Sequence, residues 1–216
     1  MKKLFGTIIC VLLMTLGSFS QAKKTPVKFP PKVPVANPQP SAEISETEWN
    51  EIVESFQIED WNKTTLLSSA VLKKFTADNE AQQIAQIRYF YLFAMAGKVS
   101  QGKMTFDELK TLADSLIGKE FMMPSRKILA DCQKALNYIC GMKDYYRTWR
   151  VTATNKAFTA IHSFEYVQLP EKVDIELNAE KEVVMGGKLL KIEFNPKKTT
   201  DWIMRLYFTA VIPNTR

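Results

Sequence analysis

Tyr145-Tyr146-Arg147-Thr148-Trp149-Arg150-Val151-Thr152-Ala153-Thr154 is the stretch in which the chain changes its period. Before it, apolar residues recur every three or four positions. Within it, Trp149, Val151 and Ala153 alternate with Arg150, Thr152 and Thr154, which is the two-residue repeat of a half-buried strand. A chain that reads as helices up to this point and as strands after it belongs to the α+β class.

Downstream, Phe158, Ala160, His162, Phe164 and Tyr166 repeat at every second residue, and this spacing predicts a strand with all five facing inward. Val173, Ile175 and Leu177 alternate with Asp174 and Glu176 in the same way. Gly186-Gly187, between Val183-Val184-Met185 and Lys188 to Phe194, reads as a tight hairpin turn, since both central positions of the favoured turn need positive φ. A last apolar strand runs from Trp202 to Ile212. Residues 144–216 are therefore expected to form an antiparallel β-meander of five to six strands.

Upstream, residues 41–143 read as an N-terminal bundle of four to five helices. Ser45-Glu46-Thr47-Glu48 and Thr105-Phe106-Asp107-Glu108 are capping boxes, in which the first hydroxyl and the last carboxylate bond each other's backbone N–H. Ile44 with Trp49, and Met104 with Leu109, stand at the flanking staple positions. A second helix is expected over Asn62 to Phe75. The third, Glu80 to Ala96 with Gly97 as its stop, carries no charge from Tyr89 onward and should be central. A fifth is expected from Ser125 to Cys140, with Leu129, Cys132, Leu136 and Ile139 on its apolar face.

The N-terminus reads as an address. Lys2 and Lys3 precede thirteen uncharged residues, Leu4 to Leu16, and Ser20-Gln21-Ala22 has the small-x-small form of a cleavage site. Residues 1–22 are expected to be a signal peptide, the apolar run being short of the roughly 20 residues that span a bilayer. Residues 23–40 hold six of the ten prolines and are expected to be a disordered Pro/Lys-rich spacer. The expected compartment is periplasmic or extracellular, with no membrane span left after cleavage.

Charge excludes more than it suggests. The net charge is +6, and six lysines but no acid lie before Ser41, so the remainder balances at 23 basic against 23 acidic residues. Net electrostatics thus give no case for nucleic acid, although a local basic patch is compatible with the count. In an oxidising compartment Cys132 and Cys140 could pair, but eight residues of helix would hold their Cα atoms about 12 Å apart. A bridge spans less than about 7 Å, so two buried thiols are expected unless the helix breaks.

Motifs for catalysis are sparse. His162 is the single histidine, which removes multi-histidine zinc chemistry; its alternation with apolar neighbours reads as a core histidine bonded by one of them. Ser100-Gln101-Gly102-Lys103 resembles the S-x-x-K nucleophile motif of penicillin-binding proteins and β-lactamases. Those families also carry S-D-N and K-T-G, whereas this chain has no S-D-N and offers Lys198-Thr199-Thr200 without the glycine. The segment reads as a polar turn. Lys143 to Arg150 interleaves aromatic with basic side chains, and such a mixture can stack on sugar rings or bases. Tyr145, Tyr146, Arg147, Trp149, Arg150 and His162 are accordingly the ligand-binding candidates. No catalytic residue, metal ligand or cofactor is assigned. The expected function is a non-catalytic binding or scaffolding protein of the bacterial cell envelope, with a protein or an envelope polymer as partner and no nucleic acid. The alternative is a hydrolase acting on envelope or polysaccharide substrate.

Overall fold

Ser45 and Thr105 each start a helix in the manner their capping boxes announce. Ser45 Oγ accepts from the Glu48 N–H while the Glu48 carboxylate accepts from Ser45, and Thr105 and Glu108 repeat the exchange. The computed structural model describes residues 44–75, 82–130, 132, 136–142 and 145–215. The expected signal peptide and spacer lie outside them. Among the described residues there are four α-helices: α1 (Glu46–Gln57), α2 (Trp61–Leu72), α3 (Gln82–Ser100) and α4 (Phe106–Asp114). None is long and apolar enough to cross a membrane.

Helix α3 is apolar on nearly every side, so it must be covered on nearly every side. Tyr89, Phe90, Leu92 to Ala96 and Val99 are all buried. Helix α2 packs on one flank and the sheet on another. Gly97 does not stop α3. The indole of Trp61 lies against it so closely that an added Cβ would sit 2.6 Å from the ring, and the helix runs on to Ser100.

Seven strands follow: β1 (Glu120–Met122), β2 (Arg126–Leu129), β3 (Ile139–Met142), β4 (Tyr145–Thr154), β5 (Ile161–Gln168), β6 (Glu182–Phe194) and β7 (Trp202–Thr215). The α+β class holds, but the sheet is mixed rather than an antiparallel meander, because β2–β3 and β5–β7 are parallel pairs. Strand β7 inserts between β5 and β6, so β6 cannot neighbour β5 as a meander requires. The helices likewise form no separate bundle; they share one core with the sheet.

Strand β6 is paired along both edges. Gly186, Gly187 and Lys188 face Met122, Phe121 and Glu120 on one side and Val211, Ala210 and Thr209 on the other, while Val183 lies between Arg126 and Thr215. The order β6-β2-β3-β4-β5-β7 therefore returns to β6, and the sheet closes into a ring with β1 on the same edge of β6 as β2. Gly186-Gly187 is not a hairpin turn but the crowded corner of this ring. A Cβ on Gly187 would lie 1.7 Å from the Thr209 carbonyl oxygen, and one on Gly186 2.6 Å from that of Phe121. Glycine inside a strand marks such close backbone approach.

Three further expectations are corrected. Among the described residues the expected fifth helix is replaced by two strands, β2 and β3, which run parallel with Ile128 opposite Ile139 and Leu129 opposite Cys140. Without a helix between them, Cys132 and Cys140 come to a Cα separation of 5.7 Å and form a disulfide instead of two thiols. Val173 to Leu177 is not a strand. Asp174 Oδ1 accepts from the Glu176 and Leu177 N–H groups and starts a 3-10 turn at Glu176–Asn178, leaving Leu177 exposed.

Candidate binding cleft and its buried floor

At the end of the ring where β2 and β3 begin and β4 finishes, α1, α2 and α3 leave a cleft of about 300 Å³. Phe56, Trp61 and Phe93 supply aromatic walls; Gln57, Glu59, Ser125, Arg126, Asn137 and Lys156 supply polar groups. The mouths of barrels and clefts of this size are common ligand sites. Two lining residues hold left-handed backbone conformations, Glu59 at φ 61° and Asn137 at φ 63°. Such conformations cost energy in non-glycine residues and persist only where surrounding contacts enforce them. Glu59 Oε1 accepts from the Lys156 N–H across the rim, and the Asn137 N–H donates to the Thr152 carbonyl at 2.8 Å.

Beneath the cleft lies a buried polar chain. Arg126 Nη2 donates to the Tyr89 hydroxyl at 2.8 Å, which donates to Glu165 Oε1 at 2.8 Å, and Ser163 Oγ donates to the same oxygen at 2.8 Å. Arg126 and Glu165 approach directly only to 3.9 Å, with side chains 9% and 0% exposed. Tyr89 thus relays between two opposite charges. On the other side Arg126 Nη1 donates to Asn137 Oδ1 at 3.2 Å, and Asn137 is fixed by the Thr154 N–H and hydroxyl, both at 2.9 Å.

Burial and mutual charge set the electrostatics of this chain of groups. Burial, followed by the charge of Glu165, pushes the Tyr89 phenol well above its ordinary pKa, so it stays neutral. Burial by itself would lower that of Arg126, but its interactions with Tyr89 and Glu165 outweigh this and raise it. Both groups keep their protons across the physiological range. Among the described residues no three His, Cys, Asp or Glu side chains are placed to hold a metal ion.

His162 is fully buried, edge-on to Trp61 and Phe93. Its Nε2 lies 3.3 Å from Ser100 Oγ, so the two most reactive side chains singled out in the sequence do meet. Their polarity is wrong for nucleophilic catalysis. Ser100 Oγ already donates to the Gly97 carbonyl at 2.8 Å, so it accepts from Nε2–H, and Nδ1, which has no hydrogen-bond partner, bears the lone pair. Burial lowers the His162 pKa from 6.5 to about 4.

The inward set expected for β5 is reversed around this histidine. Ser163, Glu165 and Val167 are buried, whereas Phe164 and Tyr166 are half-buried and Phe158 is exposed in a turn. A bulge explains it: Ala153 pairs with Ser163 and Thr154 with Ile161, skipping His162 and re-aiming it into the core.

Of the other candidates, those whose side chains are described do not line the cleft. Tyr145 and Tyr146 open β4, Arg147 is exposed near its start, Trp149 is buried, and Arg150 stands on the opposite face beside Tyr166. Alternation along β4 separates them. The residues that do build the site, Tyr89, Arg126, Asn137 and Glu165, come from four different elements or turns. The one local signal was Glu165, a lone charge within Phe164-Glu165-Tyr166-Val167.

Compared with models of known families, with curated proteins and with solved structures, the chain finds no match.

Proposed function

We propose that the protein is an exported, non-catalytic binding protein of the bacterial cell envelope that receives part of an envelope polymer or of a partner protein in the cleft at the mouth of its ring. The observation that carries this is the preset guanidinium of Arg126, held from one side by Tyr89 and from the other by Asn137 within an aromatic-walled cleft. A side chain fixed before binding loses little freedom on binding. The raised pKa values of Tyr89 and Arg126 favour recognition over proton transfer.

Ser125 is exposed on the rim, so Ser125→Trp fills the cleft without entering the core. The test titrates the protein with enzymatically released fragments of envelope glycan, follows Trp fluorescence, and recovers the fragments afterwards. Saturable binding that Ser125→Trp removes, with fragments recovered intact, is the expected result. Fragment cleavage lost on Glu59→Gln would replace this reading with hydrolysis, and binding unaffected by Ser125→Trp would move the site elsewhere.

A further inference from the structure

We propose that the outer face of β4, β5, β7 and β6, away from the helices, is a docking surface for an anionic polysaccharide chain. This surface is separate from the cleft and does not depend on it. Charge segregation is the first argument. Although basic and acidic residues balance from Ser41 onward, the described outward side chains across the middle of these four strands include Arg150, Lys188, Lys191 and Arg205 against one carboxylate, Glu193. Glu193 already pairs with Lys191 at 2.6 Å and with Arg205 at 3.8 Å, so four cations against one carboxylate leave a net excess of three positive charges, which attracts a polyanion.

The second argument is the inverted alternation of β5, which leaves Phe164 and Tyr166 half-exposed while Ser163 and Glu165 are buried. In register across the strands, Arg150 neighbours Tyr166, Tyr166 neighbours Tyr207, and Tyr207 neighbours Lys191. This row crosses four strands at roughly 4.8 Å each, placing cations at its two ends about 14 Å apart. A charged polymer lying along the row meets both.

Ring geometry distinguishes glycan from nucleic acid. Tyr166 and Tyr207 are stacked on each other, 5.1 Å apart and 12° from parallel, and Lys191 covers the far side of Tyr207. Arg205 covers Trp202 at 4.7 Å. Bases bind such surfaces by stacking on open ring faces, and Tyr207 is covered by Tyr166 and Lys191 while Arg205 takes one face of Trp202. Half-buried rings beside an excess of cations suit a hydroxylated, negatively charged chain. A protein strand is disfavoured as well, because the strands of this face are paired along both edges and offer none for β-addition.

The test uses the full chain with Lys2, Lys3, Lys23, Lys24, Lys28 and Lys32 changed to Gln, so that the basic segment before Ser41 cannot contribute. Polygalacturonate, neutral dextran and an oligothymidylate are titrated calorimetrically at low and at physiological ionic strength. Saturable, salt-weakened binding of polygalacturonate but not dextran is expected, with Kd raised about tenfold or more by Arg150→Gln/Lys191→Gln/Arg205→Gln. Lys191→Glu, at a side chain 62% exposed, gives the same direction, with a thermal melt showing that the new like charge beside Glu193 leaves the fold intact. No binding at low ionic strength, binding unchanged by Lys191→Glu, or equal affinity for the oligothymidylate would overturn the proposal.

Discussion

His162 is a histidine that folding keeps neutral. With its pKa lowered from 6.5 to about 4 by burial, the unfolded chain takes up a proton between those values and the folded chain does not. Stability from this group is therefore complete above about pH 6.5 and is lost as the pH falls toward 4, by about 3 kcal/mol in all. Glu48, Glu108 and Glu193, whose pKa values are lowered chiefly by hydrogen bonds, lose their contribution in the same direction but below about pH 4.5. Urea denaturation of His162→Phe should show a flattened stability profile between pH 6.5 and 4.5, and an unchanged slope there would contradict the burial argument. The pair beneath the cleft behaves differently. Arg126→Met strands the Glu165 carboxylate in the core and should cost about 3–5 kcal/mol, whereas Arg126→Met/Glu165→Gln should recover more than half of it, since replacing both partners removes the unpaired charge. Chemical denaturation of the two variants decides. That His162 belongs to the core was legible from its apolar neighbours; which neighbours face it was not, because a bulge shifts the phase of a strand without leaving any mark in a two-residue repeat.

The connection from β2 to β3 carries its own covalent tie. Parallel strands ordinarily need a connection of a dozen or more residues, and here Leu129 and Cys140 are already in register. The Cys132–Cys140 bridge closes a loop whose entropy is worth about 2–3 kcal/mol, and Asn137, the residue that steadies Arg126, lies inside it. Reduction should lower the urea midpoint accordingly and accelerate hydrogen exchange at the Thr154 amide, which donates to Asn137 Oδ1. Exchange unaffected by reduction would show that the bridge does not support the cleft. Why the sequence misled here is specific. Leu129, Cys132, Leu136 and Ile139 fit a helical face, yet strands of four residues each are too short to display a period of two. The capping boxes at Ser45 and Thr105 were legible because their signal is local, a hydroxyl and a carboxylate three residues apart. Gly186-Gly187 was misread because a turn and a crowded corner both call for glycine, and only the distant Phe121 and Thr209 tell them apart.

At the scale of the molecule, helices first and strands later was readable in outline, but the change comes at Glu120 and not near Tyr145, with β1, β2 and β3 inside the stretch expected to be helical, and the order of strands was not readable, since parallel pairing and ring closure depend on partners far apart in the chain. The export reading makes its own prediction at this scale: the protein recovered from an envelope fraction should begin at Lys23, and intact-mass analysis that returns Met1 would refute it. The seam of the ring has a consequence for how such a chain is made. Strands β6 and β7 join the two ends of the sheet, and of the seven strands they are the last to be synthesised. Until Trp202 to Thr215 has left the ribosome, β5 lacks its parallel neighbour and the ring stands open. Contacts of such long sequence separation form slowly, so closure of the ring waits on β7 and comes after the helices and the first five strands have been made. A ring that shuts only on so late a strand leaves the earlier part of the polypeptide threadable in the meantime, which is the state that the proposed passage through a narrow translocation pore demands.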